Sequence, residues 1–236
     1  MSNKKKNSLV SRLVSNDTKE FWAEISEMSL DNVLETVAKD QELLKEIPVI
    51  KWVCTSISVK NSIQSAAFMK KFSSFIGQVN LERFTENDIS LLDEAVDVPS
   101  VTDEIIENTM VYIDRYHNEM KAKLLGKLFV ETFKFNRFTV REYNSLLFSI
   151  EQIHPFEGLE TLKEFYDYKK RMDTASSNEE RQSVWAEGAE IDFQSLAMSG
   201  LLNLPSGGAY AGDLGGAFIN DKGVKFYEFV VKNVVR

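Results

Sequence analysis

Glycine is nearly missing from the first 187 residues and then crowds together, with only 4 prolines in the whole chain, and this asymmetry constrains the fold more than any other feature. Three of the 11 glycines and three of the 4 prolines precede Gly188, while six glycines fall from Gly200 to Gly216. Few breakers favour long uninterrupted helices, whereas clustered glycines mark turns. The chain therefore reads as three segments: a basic tail with short helices over 1–40, a helical bundle over 41–198, and a glycine-rich hairpin with a final helix over 199–236. The expected fold is mainly α, a helical bundle with a small C-terminal winged-helix-like α+β module.

Apolar spacing fills in the helices. Asp17–Met28 and Leu30–Ala38 read as short helices, and Ile47–Val79 as the longest periodic stretch, with Phe68, Phe72, Phe75, Ile76 and Val79 on one face. Thr85–Val96 follows, closed by Pro99. Val101–Tyr116 carries Ile105, Ile106, Val111, Ile113 and Tyr116 at helical spacing. In Met120–Phe135 a stripe of Met120, Leu124, Leu125, Leu128, Phe129 and Phe133 surrounds Gly126. A glycine there costs about 1 kcal/mol against alanine, so close approach of a second helix is the expected reason for it. The pattern Thr139-Val140-Arg141-Glu142 is a capping box that starts the next helix and, after so short a turn, places it antiparallel to its predecessor. Phe156–Met172 and Asn178–Ala197 complete the bundle, the latter started by Ser177 and Glu180. Two short strands then flank the glycine-rich turn, and Asp221–Val235 forms a last helix.

Charge and cysteine content exclude several classes. The net charge of −8 and pI near 5.0 argue against a wholly basic nucleic-acid binder. Lys4, Lys5 and Lys6 form a basic start suited at most to weak contact with an anionic membrane. Cys54 is the only cysteine, which excludes an intrachain disulfide and a thiolate cluster and fits a cytoplasmic location. The lysine-rich start lacks an apolar leader core, so no signal peptide is expected, and no conventional membrane-spanning helix is expected either.

The run Tyr112-Ile113-Asp114-Arg115, then Glu119-Met120-Lys121-Ala122-Lys123-Leu124-Leu125-Gly126-Lys127-Leu128-Phe129, with Thr139, Glu142 and Tyr143, resembles an uncharacterised family of small helical proteins from bacterial and prophage genomes. The segment Glu46-Ile47-Pro48-Val49-Ile50 and the ending Ser199-Gly200-Leu201-Leu202, Gly215-Gly216-Ala217-Phe218, Gly223 and Phe226 agree with it, so the resemblance covers roughly residues 42–235. It implies a shared fold and accessory roles, including phage defence or prophage exclusion, and it carries over no catalytic residue. Family members have a more apolar stretch after the Ile-Pro entry. Lys51, Ser56, Ser58 and Lys60 make it more polar here, against a membrane role.

No motif for catalysis, cofactor or metal stands out. The turn Ser206–Gly216 has glycines able to cradle a phosphate, yet it lacks a G-K-[ST] sequence and the dinucleotide spacing. From Asp173 onward nine acids oppose five bases, which disfavours anions. His117 and His154 fall in different expected helices without a metal-binding spacing, and Cys54 reads as a buried, inert thiol. The stretch Phe129–Tyr143 interleaves aromatics with Lys134, Arg137 and Arg141. Its composition suits stacking on single-stranded bases, and equally the packing of two antiparallel helices, which is the preferred reading.

The chain thus reads as a non-enzymatic, self-associating interaction protein, with Tyr210, Asp213 and Leu214 of the glycine-rich turn as contact residues. Its expected partner is a protein or a second copy of itself, with no cofactor and no duplex DNA. The alternatives are a membrane-surface effector using Lys4–Lys6 and the Ile47–Val79 helix, and a nucleic-acid-binding regulator using the winged-helix-like ending.

Overall fold

Apolar spacing becomes helix through most of the chain that the structure, a computed structural model, describes: residues 19–29, 31–33, 35, 62–81, 99–204 and 216–235. The helices are α1 (Lys19–Glu27), α2 (Ser62–Leu81), α3 (Pro99–Arg115), α4 (Glu119–Phe133), α5 (Val140–Gln152), α6 (Glu157–Thr174) and α7 (Asn178–Ala189). A 3-10 turn (Gln194–Leu196), strands β1 (Leu202–Asn203) and β2 (Phe218–Ile219), and a last helical run follow. That run comprises α8 (Asp221–Phe226), a π-helical turn (Tyr227–Val231) and α9 (Lys232–Val234). The chain divides into two units, 1–144 and 145–236, and the division falls inside α5.

In the first unit α4 is buried around nearly its whole circumference, because α2 and its other neighbours take up its apolar stripe. A line of rings runs from α1 through α2 to α4. Trp22 meets Phe72 at 4.8 Å, Phe72 meets Phe75 at 5.9 Å, Phe75 meets Phe129 at 5.7 Å, and Phe129 meets Phe133 at 4.7 Å. Edge-on and tilted pairs of this kind add to the area they bury. Gly126 is the point of closest approach: a Cβ there would stand 2.6 Å from the Phe75 carbonyl oxygen and 2.8 Å from Gln78 Cβ. The glycine's cost in helix propensity is thus offset by the α2–α4 contact it permits, as the sequence led us to expect.

Helix starts follow side-chain chemistry. Asn118 Oδ1 accepts the Lys121 backbone N–H at 3.1 Å at the start of α4. At α5, Thr139 Oγ1 accepts from the Glu142 N–H at 3.1 Å while Glu142 Oε2 accepts from the Thr139 N–H at 2.7 Å, the reciprocal pair of a capping box. Tyr143, in the first turn of α5, then lies 5.1 Å from the Phe133 ring and bonds Thr109 of α3 at 2.8 Å. Pro99 opens α3, where a missing backbone N–H leaves no gap in the helix ladder, and the helix expected over Thr85–Val96 lies outside the described residues. One expectation needs correction. Val111 faces outward at 44% exposure, because Ile106, Met110 and Ile113 already supply the inner face of α3.

The second unit centres on α6, which buries Leu159, Leu162, Phe165, Tyr166 and Tyr168, and on Phe226, Tyr227, Val230 and Val231 of the last run. Ser177 caps α7 by accepting the Glu180 N–H at 3.1 Å. The helix expected over Asn178–Ala197 ends at Ala189 instead. Asp192 Oδ1 accepts the Gln194 N–H at 2.9 Å and starts the separate 3-10 turn. The strands pair antiparallel in the register Leu202↔Ile219 and Asn203↔Phe218, with the first pair inward and the second outward. A small two-stranded antiparallel sheet leading into a helical run is what the described residues show of the expected α+β module.

Candidate functional site

The outward side of the second unit gathers large apolar side chains where α7 meets the hairpin. Along α7 only Val184 and Gly188 are buried, so most of this helix faces solvent. Gly188 lets it lie directly on α6, since any Cβ at that position would overlap the Tyr168 ring. The same ring lies 6.1 Å from Phe218 of β2. A Cβ on Gly216, just before β2, would sit 2.9 Å from Ala189 Cα, so the hairpin rests against the end of α7. An Arg171–Glu187 ion pair at 2.6 Å ties α6 to α7 on the exposed side, where screening keeps its contribution small.

Three apolar residues stay exposed around this junction: Trp185 at 40%, Leu204 at 45% and Phe218 at 37%. Trp185 stands one turn before Gly188 on α7, Phe218 touches Tyr168, and Leu204 directly follows β1. The charges along and just after α7 are mostly acidic, with Glu179, Glu180, Glu187, Glu190 and Asp192 against Arg181 and the Arg171 of α6 that pairs with Glu187. The expected contact residues Tyr210, Asp213 and Leu214 lie outside the described residues, as do Lys4, Lys5, Lys6 and Cys54. Leu204 and Gly216 are the described ends that flank the glycine-rich turn. Sequence reasoning missed Trp185, although a single tryptophan in the otherwise polar run Asn178–Ala189 is a readable signal.

Tyr168 lies beneath this surface, while Tyr166, on another side of α6, lies against Tyr227 of the last helical run. Among the described residues Tyr168 Oη is buried without a hydrogen-bond partner, while Tyr166 Oη is buried with the Lys170 ammonium as its polar neighbour. Tyr166 lies 4.4 Å from Tyr227 ring to ring, and Lys170 Nζ sits 4.7 Å over the Tyr166 ring. Burial holds the Tyr168 and Tyr227 phenols above the usual tyrosine range, with Asp167 adding to the effect at Tyr227. They remain protonated at neutral pH and supply no nucleophile. Tyr227 opens the π-helical turn, an irregularity that shifts the following residues around the helix axis.

The first unit holds a polar cleft of about 340 Å³, lined by Lys70, Lys71, Tyr116, His117 and Glu119 among others. Lys71 Nζ donates to the carbonyls of Asp114 at 2.5 Å and Tyr116 at 2.9 Å, satisfying the end of α3. Burial lowers its pKa, while Asp114 opposes the shift. The cation is thus committed to a helix end rather than presented to a substrate. Lys70 pairs with Glu119 at 3.4 Å, and Ser74 Oγ donates to the same carboxylate at 3.1 Å.

Both histidines were expected in helices and both lie in connections. His117 sits in the α3–α4 turn, and His154 follows α5, where its Nδ1 accepts the Glu157 N–H at 3.2 Å. Among the described residues no group of three or more His, Cys, Asp or Glu is placed to hold a metal ion. Among them, too, no helix is long and apolar enough to cross a membrane. Comparison with family models, with curated proteins and with solved structures finds no match to the chain.

Proposed function

We propose that the protein is an interaction protein rather than an enzyme, and that it associates with a second copy of itself through the surface where α7 meets the hairpin. The observation that carries this reading is the exposure of Trp185, Leu204 and Phe218 around one closely packed junction. Aromatic side chains held on packed elements serve as anchors at interfaces because little conformational freedom is lost on binding. A twofold assembly would use the same patch on both copies. The mostly acidic charges along α7 disfavour duplex nucleic acid at this surface, since duplex affinity rests on phosphate neutralisation.

The resemblance to prophage-borne proteins supplies the biological setting, an accessory role in phage defence or prophage exclusion. Sedimentation velocity across a concentration series tests the association directly. The wild type should form a dimer or larger species as concentration rises, and Trp185→Ser combined with Phe218→Ser should keep the chain monomeric with helix content unchanged. Shortening Pro205–Gly216 should weaken assembly as well. A wild type that stays monomeric throughout, or a double variant that assembles like it, overturns the reading.

A further inference from the structure

We propose that the turn after α4 binds one nucleotide unit, its base stacked on Phe135 and its phosphate held by Lys134 and Arg137. The aromatics between Phe129 and Tyr143 divide sharply. Phe129, Phe133, Phe138 and Tyr143 are buried, as helix packing requires, while Phe135 is 41% exposed. Core packing therefore accounts for four of the five and leaves Phe135 outside the core, in contact with cations instead.

The backbone sets this ring among cations. Asn136 adopts φ +52, a left-handed conformation that asparagine tolerates better than most residues. The reversal lets the Arg137 N–H reach back to the Glu131 carbonyl at 2.9 Å, and it sets Phe135 and Arg137 side by side beyond the helix end. Lys127 Nζ lies 6.0 Å from the Phe135 ring centre, and Lys134 Nζ and Arg137 Cζ each lie 5.6 Å from it. Underneath, the buried Glu131 carboxylate holds Lys127 at 2.9 Å through Oε1. Its Oε2 faces Arg137 Nε at 3.3 Å, an ion-pair distance without hydrogen-bond geometry. The carboxylate thus fixes two of the three cations from below.

Cations near a helix C-terminus complement its dipole, but that does not explain a large ring left in solvent beside them. A flat apolar face flanked by a guanidinium and an ammonium matches the two halves of a nucleotide. The base stacks on the ring or on the Arg137 plane, and the phosphate meets the charges. Arg137 is 43% exposed, so its guanidinium is within reach of a ligand. Free nucleotides and single-stranded nucleic acid share this chemistry. Duplex does not, because its bases are stacked on one another and hidden.

The test is fluorescence anisotropy of the full-length protein with labelled single strands of about 20 nucleotides at low salt. We expect micromolar binding that weakens as salt rises, and little binding to duplex of the same sequence. Phe135→Ala should weaken it by roughly fivefold or more, Phe135→Trp should retain it, and Lys134→Gln should weaken it and flatten the salt dependence. Competition with adenosine monophosphate separates the sources. Displacement at micromolar concentrations identifies a free-nucleotide site, and survival at millimolar concentrations identifies a strand site; either outcome supports the proposal. Absence of binding to both probes overturns it. So does binding that is indifferent to Phe135→Ala and Lys134→Gln while both variants melt like wild type.

Discussion

Replacing Gly126 by alanine adds one methyl group to the most tightly opposed point between α2 and α4. That methyl would stand 2.6 Å from the Phe75 carbonyl oxygen and 2.8 Å from Gln78 Cβ, where ordinary contact begins near 3.4 Å. The shortfall is 0.8 Å at the oxygen and 0.6 Å at the carbon. The oxygen is backbone and the carbon is bonded to backbone, so neither can rotate aside and the helices must part. A gap of that size forfeits about a quarter to a half of the dispersion energy of the contacts it opens. Overpacking costs about 1–3 kcal/mol, and with immovable neighbours we place Gly126→Ala in the upper half of that range. Alanine returns about 1 kcal/mol of helix propensity, which leaves a net loss of about 1–2 kcal/mol. Gly77 on α2 is the control, because a Cβ there meets nothing within 4 Å. Gly77→Ala should therefore gain about 1 kcal/mol. Chemical denaturation followed by circular dichroism measures both. A Gly126→Ala variant as stable as wild type, or more stable, would refute the close-approach argument.

Two further outcomes follow from the core of the first unit. Leu125 has no exposed surface, so Leu125→Asp buries an unpaired charge and should lower stability by about 4 kcal/mol or more, seen as a collapse of the thermal midpoint. Burial holds the Tyr143 phenol above its ordinary value of 10.0, although its bond to Thr109 opposes the shift. The protonated form is thus the one that folds, and Tyr143 contributes stability that is complete below pH 10 and lost as pH rises beyond it. Tyr143→Phe should move the alkaline unfolding transition to higher pH at a cost of about 1 kcal/mol near neutrality; an unmoved transition would contradict this.

Much of the bundle was readable because apolar spacing and capping chemistry agree locally. The Thr139–Glu142 box, the Ser177 cap and the inward Leu124–Leu125–Leu128–Phe129 stripe all appear where the residues place them. What escaped was decided by partners distant in sequence. Helix propensity alone would carry α7 past Ala189, but Gly188 seats that helix on Tyr168 and Asp192 starts a new turn. Periodicity assigned Val111 inward, and its neighbours on α3 had already filled the face. At the candidate surface the sequence pointed to the glycine-rich turn and passed over Trp185. An exposed anchor has no periodic signature, since what marks it is the absence of packing around it. The stretch around Phe135 was readable as a stacking site, but spacing alone could not separate Phe135 from the core aromatics beside it.

The most direct test of the interaction surface is amide hydrogen exchange of the full-length protein at low and high protein concentration. The account predicts that raising concentration slows exchange in α7 and around β1 and β2, with the core of α4 slow at both concentrations. Exchange that does not depend on concentration, or added protection confined to other elements, would contradict self-association through the surface where α7 meets the hairpin.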